Sequence, residues 1–239
     1  MLHIYETTKE VLTAAAEYFV HTSKEAISKQ GKFTVALSGG SSPKGLFELL
    51  ASEYHLQVEW KKVYFFFGDE RYVPFDHPES NALMATKALF EPLKIDAHQI
   101  FLVNTTLSPK EAAEAYSKTI ESHFSPGPSI FDLILLGLGD DAHTASLFPY
   151  TSVINVTETG VKEIFVDDKK VYRITFTAPL INQASHIAFL VFGALKAPAV
   201  HHVLKGDRDY NQYPAQIVEP VNGDVTWFMD EAAASLIKK

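Results

Sequence analysis

The sequence contains no cysteine. A chain without thiols can form no disulfide, attack with no thiolate and bind no metal through sulfur, which removes disulfide scaffolds, cysteine nucleophiles and thiolate metal centres together. Positive charge is also scarce: 21 lysines and arginines stand against 29 acids, a net charge of −8. Duplex binding requires a basic face that displaces counterions, so no nucleic-acid partner is expected. No long apolar run opens the chain, because Glu6, Glu10 and Glu17 interrupt its first apolar positions. Neither a signal peptide nor a membrane partner is therefore expected, and cytoplasmic residence is the default. The glycosylation-like triplets Asn104-Thr105-Thr106 and Asn155-Val156-Thr157 carry no weight without secretion. His201 and His202 are neighbours on an expected helix and point apart, unlike an i, i+4 ligand pair, and no metal site is legible.

What is present is the composition of a folded domain: 46% of the 239 residues are hydrophobic and 21% charged. The length suits one large domain spanning 1–239, with a monomer the expected state. Val11, Leu12, Ala15, Ala16, Phe19 and Val20 recur at helical spacing, which predicts a helix over 6–30 that stops at Gly31. Residues 33–38 read as a buried strand followed by a helix through Leu50, and 63–67 as a strand whose run Tyr64-Phe65-Phe66-Phe67 is core, not a base-stacking platform. A helix over 81–90 and a strand over 100–103 follow. Ser108-Pro109-Lys110-Glu111 then opens a helix with a capping box and a proline at its first position, ending near His123. Residues 125–129 form a turn-rich connector. Later strands are predicted over 131–136, 171–177, 187–192 and 225–229, with a helix over 194–204 that Pro198 should kink and a terminal helix from Asp230. This alternation implies an α/β fold, a mostly parallel sheet with helices on both faces.

In such sheets ligands bind outside the carboxyl ends of the strands. There the strand Leu133-Ile134-Leu135-Leu136 breaks at Gly137-Leu138-Gly139, and the turn delivers Asp141 and His143 to the rim. An acid two residues from an imidazole can orient it if the loop folds back; the alternative is a capping Asp and a surface His. The same turn fits a dinucleotide-binding pattern, but that pattern needs a helix opening directly from the glycines, and Pro149 limits what can follow. The loop Ser38-Gly39-Gly40-Ser41-Ser42-Pro43-Lys44 is an anion cradle at a helix amino end, or a flexible turn with a serine cap. The charges of Gly68-Asp69-Glu70-Arg71 emerge at the same edge, as site charges or as a solvated ion pair. Arg173 and Lys196 sit in or after late strands; in an acidic protein, cations at several strand ends suggest one anion-binding pocket.

These segments together resemble the 6-phosphogluconolactonase family of the sugar-phosphate isomerase and deaminase-like superfamily. The resemblance rests on Ala36 to Pro43, Phe67 to Arg71 with Ser80-Asn81, Gly137 to Pro149, Arg173 to Thr177 with Asn182, and Gly193 to Ala197. It implies hydrolysis of 6-phospho-D-glucono-1,5-lactone to 6-phosphogluconate in the oxidative pentose phosphate pathway, with no cofactor and a phosphorylated sugar lactone as the only partner. By resemblance His143 is the general base, Asp141 holds its tautomer and Arg71 faces developing charge. Gly39, Gly40, Ser41, Ser42, Asp69, Asn81, Arg173 and Lys196 bind substrate. One position departs from the family, which usually has glycine where this chain has Ala142; if the site needs positive φ, alanine is strained there. Two alternatives stay open. A glucosamine-6-phosphate deaminase shares the fold but carries a glutamate shortly after the histidine, where this chain has Ser146-Leu147-Phe148-Pro149. A sugar-phosphate-binding regulator would keep the clamp without the chemistry.

Overall fold

In the computed structural model, which describes residues 1–166 and 170–237, the strands are β1 (Leu2–Tyr5), β2 (Phe33–Leu37), β3 (Val63–Phe67), β4 (Asp69–Arg71), β5 (Leu133–Leu136), β6 (Val161–Val166), β7 (Val171–Phe176), β8 (His186–Val191) and β9 (Asp224–Asp230). The α-helices are α1 (Thr8–Gln30), α2 (Ser41–Ser52), α3 (Asn81–Ala85), α4 (Glu91–Leu93), α5 (Pro109–Phe124), α6 (Ala178–Ile181) and α7 (Ala197–Lys205). Six strands form a fully parallel sheet in the order β1-β9-β8-β5-β2-β3.

Its central strands alternate two apolar faces, as strands buried on both sides must. Val35, Leu37, Phe65, Phe67, Leu133 and Leu135 pack with α1, α2 and α3, whereas Ala36, Phe66, Ile134 and Leu136 pack with α5 and α7. The aromatic run 64–67 is thus core on both faces. Helix α1 starts at a capping box between Thr7 and Glu10 and ends at Gly31 in the left-handed region, φ 78°. Helix α5 starts at the box between Ser108 and Glu111.

Several elements differ from the sequence reading. Residues 100–103 form no strand: Ile100 makes an isolated bridge to Phe65, because the chain touches the sheet edge for one residue and leaves. The short strands β1, β4 and β6 carry too little period-2 pattern to be read. β4 and β6 flank β7 in a second, antiparallel sheet, so the strand over 171–177 belongs outside the main sheet. The helix over 81–90 widens into a π turn over Thr86–Phe90. Pro198 kinks nothing, since it lies in the first turn of α7, where its missing N–H has no intrahelical acceptor. Asp230 closes β9 instead of opening a helix; residues 231–237 are turns, and 238–239 lie outside the described residues. Among the described residues no helix is long and apolar enough to cross a membrane.

Candidate active site

β2 pairs with β3 on one side and with β5 on the other, and β5 pairs in turn with β8, which the chain reaches by way of β6 and β7. Loops leaving β2 and β5 therefore diverge and open a crevice at their carboxyl ends. A cavity of about 250 Å³ fills it, lined by Ser38, Gly39 and Gly40 after β2, by Gly137, Leu138, Gly139, His143, Thr144 and Ala145 after β5, by Asp69 and Arg71 of β4, and by Lys196.

The loop after β5 is folded by its own backbone. Gly139 N–H donates to His143 O at 2.8 Å, Ala142 N–H to Gly139 O at 3.0 Å, and Thr144 Oγ1 to Gly137 O at 2.9 Å. The fold-back brings His143 Nδ1 to 2.5 Å from Asp141 Oδ1. An ionised carboxylate only accepts, so Nδ1 carries the proton and Nε2 is the basic nitrogen. Burial alone would raise the Asp141 carboxyl, but the hydrogen bond and charge of His143 outweigh it and hold Asp141 below the ordinary carboxylate value. Phe148 stacks on the imidazole with centroids 4.1 Å apart, fixing the ring plane. Gly139 permits this approach: a Cβ there would stand 2.0 Å from His143 Nδ1. Ala142 adopts φ 63°, so the turn does require the left-handed region. Its methyl is fully buried in the core cluster that includes Leu138, Leu147 and Ala215.

The short strand β4 sorts its three charges by alternation. Asp69 and Arg71 reach the cavity, whereas Glu70 turns the other way and caps α3. Its carboxylate accepts from the backbone N–H groups of Arg71, Asn81 and Ala82 at 2.7, 2.8 and 2.8 Å, and from Ser80 Oγ at 3.2 Å. Burial still pushes the Glu70 carboxyl up, against these bonds. Asp69 accepts from Ser146 Oγ at 2.7 Å. Across the sheet Arg71 stands opposite Arg173. Burial, and then the charge of Arg71, lower the Arg173 guanidinium from its usual value, and among the described residues the buried Nε atoms of both arginines have no hydrogen-bond partner.

The residues anticipated from sequence divide in placement. His143, Asp141, Asp69, Arg71, Gly39, Gly40 and Lys196 converge at the crevice. Asn81 lies behind the loop, its Oδ1 1.9 Å from where a Gly39 Cβ would be, and donates to Asp69 O at 2.9 Å. Arg173 is buried beside Arg71 and does not line the cavity. Ser41 and Ser42 also do not line it; they open α2, whose cap is Gly40, without a side-chain bond, so no serine caps the helix. Lys196 is engaged by Asp140, with Nζ 2.6 Å from Oδ1. Ser38 of the cradle loop lines the cavity, whereas Glu70, expected at the same edge, is turned to α3. The parts played by Thr144, Phe148 and Ser146 were not anticipated, since they depend on contacts across the fold. Among the described residues no group of three or more His, Asp or Glu is arranged to hold a metal ion.

The family model for glucosamine-6-phosphate isomerases and 6-phosphogluconolactonases matches residues 6–227. A 6-phosphogluconolactonase of Nostoc sp. is 43% identical over 214 residues, covering 88% of this chain and 87% of that protein. One from Synechocystis sp. is 40% identical over 236 residues, covering 96% and 95%. The solved 6-phosphogluconolactonase of Trypanosoma cruzi superposes with a TM-score of 0.88 at 29% identity, over 100% of this chain and 97% of that one. The likeness extends over nearly the whole sequence and the whole sheet, and the chain belongs to the glucosamine-6-phosphate isomerase/6-phosphogluconolactonase family.

Proposed function

We propose that the chain, acting as one catalytic unit, hydrolyses 6-phospho-D-glucono-1,5-lactone to 6-phosphogluconate. The observation that carries this reading is the Asp141–His143 pair at the rim of a cavity that also holds Arg71 and Lys196. Relatives of 40% identity or more bearing the lactonase name support it.

His143 Nε2 takes a proton from water as its oxygen adds to the lactone carbonyl, and Asp141 stabilises the imidazolium that forms. Arg71 faces the oxyanion of the tetrahedral intermediate. The intermediate collapses by breaking the bond to the ring oxygen, which takes the proton from His143 and leaves as the C5 hydroxyl. Lys196 and the α2 amino end with Gly39 and Gly40 hold the phosphate, a remote group whose binding orients the ring. A deaminase-type ring opening is disfavoured because Phe148, not an acid, covers the imidazole. The test is proton release from freshly generated 6-phosphogluconolactone against its spontaneous hydrolysis. Acceleration at micromolar protein supports the reading; a rate equal to the uncatalysed one sinks it.

A further inference from the structure

The turn that carries the imidazole holds two adjacent acids with separate partners. Asp141 folds inward to His143, and Asp140 reaches out to Lys196, Nζ to Oδ1 2.6 Å. Lys196 ends the 3-10 turn Ala194–Lys196 that leads into α7, a helix of nine residues with no side-chain cap. Positive charge is thus concentrated there from two sources, the ammonium and the helix amino end. Lys196 lines the cavity and Asp140 does not. The Asp140 side chain is 68% exposed, and the ion pair is what holds it toward Lys196.

We propose that Asp140 is a tethered competitor for the substrate's phosphate: it occupies Lys196 in the empty enzyme, is displaced when the phosphate arrives, and thereby sets KM. The inference rests on the phosphate-clamp reading above. A ligand that binds only the unpaired lysine has its affinity reduced by the fraction of molecules in which the lysine is free. A short pair whose carboxylate is exposed, closed most of the time and opening readily, lowers apparent affinity by about 3–10-fold. Asp140 has a second effect in the same direction, since its carboxylate stands beside an incoming dianion. Asp140 therefore limits how tightly the product's phosphate is held, which favours release after turnover.

The test compares the parent with Asp140→Asn by titrating 6-phosphogluconate calorimetrically, with gluconate as the unphosphorylated control. The expected result is binding of 6-phosphogluconate about 3–10-fold tighter in the variant, no change for gluconate, and the kinetic change falling in KM more than in kcat. The gap between parent and variant should close as salt is raised, because salt screens the exposed pair. In a Lys196→Ala background Asp140→Asn should gain nothing, a double-mutant cycle that assigns the effect to this pair. Unchanged binding by Asp140→Asn would show that the pair does not compete with phosphate, and weaker binding that Asp140 positions Lys196 instead; either result overturns the inference while leaving the clamp intact. Equal affinity of the parent for 6-phosphogluconate and gluconate would overturn the clamp and the inference with it.

Discussion

Ala142→Gly measures whether the alanine in the catalytic turn is a strained substitute or a settled one. At φ 63° a residue with a Cβ bears about 1–2 kcal/mol of left-handed strain, which glycine removes. Glycine also removes a methyl that is only 1% exposed, a loss of about 0.8 kcal/mol. It further frees the unfolded chain, which costs about 0.4–1 kcal/mol. The opposing effects nearly cancel, and stability should stay within about 1 kcal/mol of the parent. The turn itself should not loosen, because Ala142 is held at both backbone groups: its N–H donates to Gly139 O at 3.0 Å and its carbonyl accepts from Ala215 N–H at 2.9 Å. His143 then keeps its aim, and lactonase kcat should be unchanged or modestly raised. Urea unfolding with an unchanged m-value, alongside steady-state kinetics, checks both. Ala142→Val is the contrasting variant, since a β-branched side chain in this region is a genuine outlier and overpacks the core, costing a further ~2 kcal/mol or more. A loss above about 2 kcal/mol in the glycine variant, or a strongly reduced kcat with the fold intact, would show that the methyl itself aims the imidazole.

His143→Ala should lower kcat by about 10²–10⁴ while leaving 6-phosphogluconate binding largely intact; near-parental turnover would make His143 structural. Gly139→Ala, whose Cβ would meet His143 Nδ1 at 2.0 Å, should displace the ring and cost kcat by a similar factor, with circular dichroism and thermal unfolding reporting whether the fold survives. Lys196→Ala should act chiefly on binding, because contacts to a non-reacting phosphate are made in ground and transition states alike; an effect confined to kcat would contradict that. Stability should fall with acidification: burial, aided by Lys32, depresses the His123 pKa to about 4, so between pH 6.5 and 4 the unfolded chain takes up a proton that the native state refuses. Discounted for a ring half in solvent, the loss is roughly 1–2 kcal/mol. His123→Gln should flatten this part of the profile in urea titrations at pH 7.5 and 5, and an unaltered slope would refute the assignment.

The sequence carried the parallel sheet because its strands are buried on both faces and read as short apolar runs, as in Phe33–Leu37 and Leu133–Leu136. It carried α1 and α5 because caps are local chemistry. The second sheet was illegible for the opposite reason: β4 is three charged residues, recognisable as a strand only from its partner β7. In the site, the imidazole and its acid were legible from a glycine turn at a strand end. That Ser41 and Ser42 lie off the cavity and Glu70 caps α3 was not, because both follow from the direction the backbone takes after Gly40 and Gly68. Whether Lys196 would be free or paired depended on a carboxylate more than fifty residues upstream.

The pairing of the first strand with the last, Leu2 beside Trp227 and Tyr5 beside Asp230, has a consequence for biosynthesis. At about 5–20 residues per second, β1 leaves the ribosome roughly 10–45 s before its partner is made. Through that interval its hydrogen-bonding groups face solvent or whatever chain is nearby. Nor can it pair early with other strands of the sheet, since β9 and β8 must be laid down between it and β5. Closure of the sheet at β1 therefore waits until β9 has been made, and the edge that β1 completes is the one part of the sheet that translation alone delays.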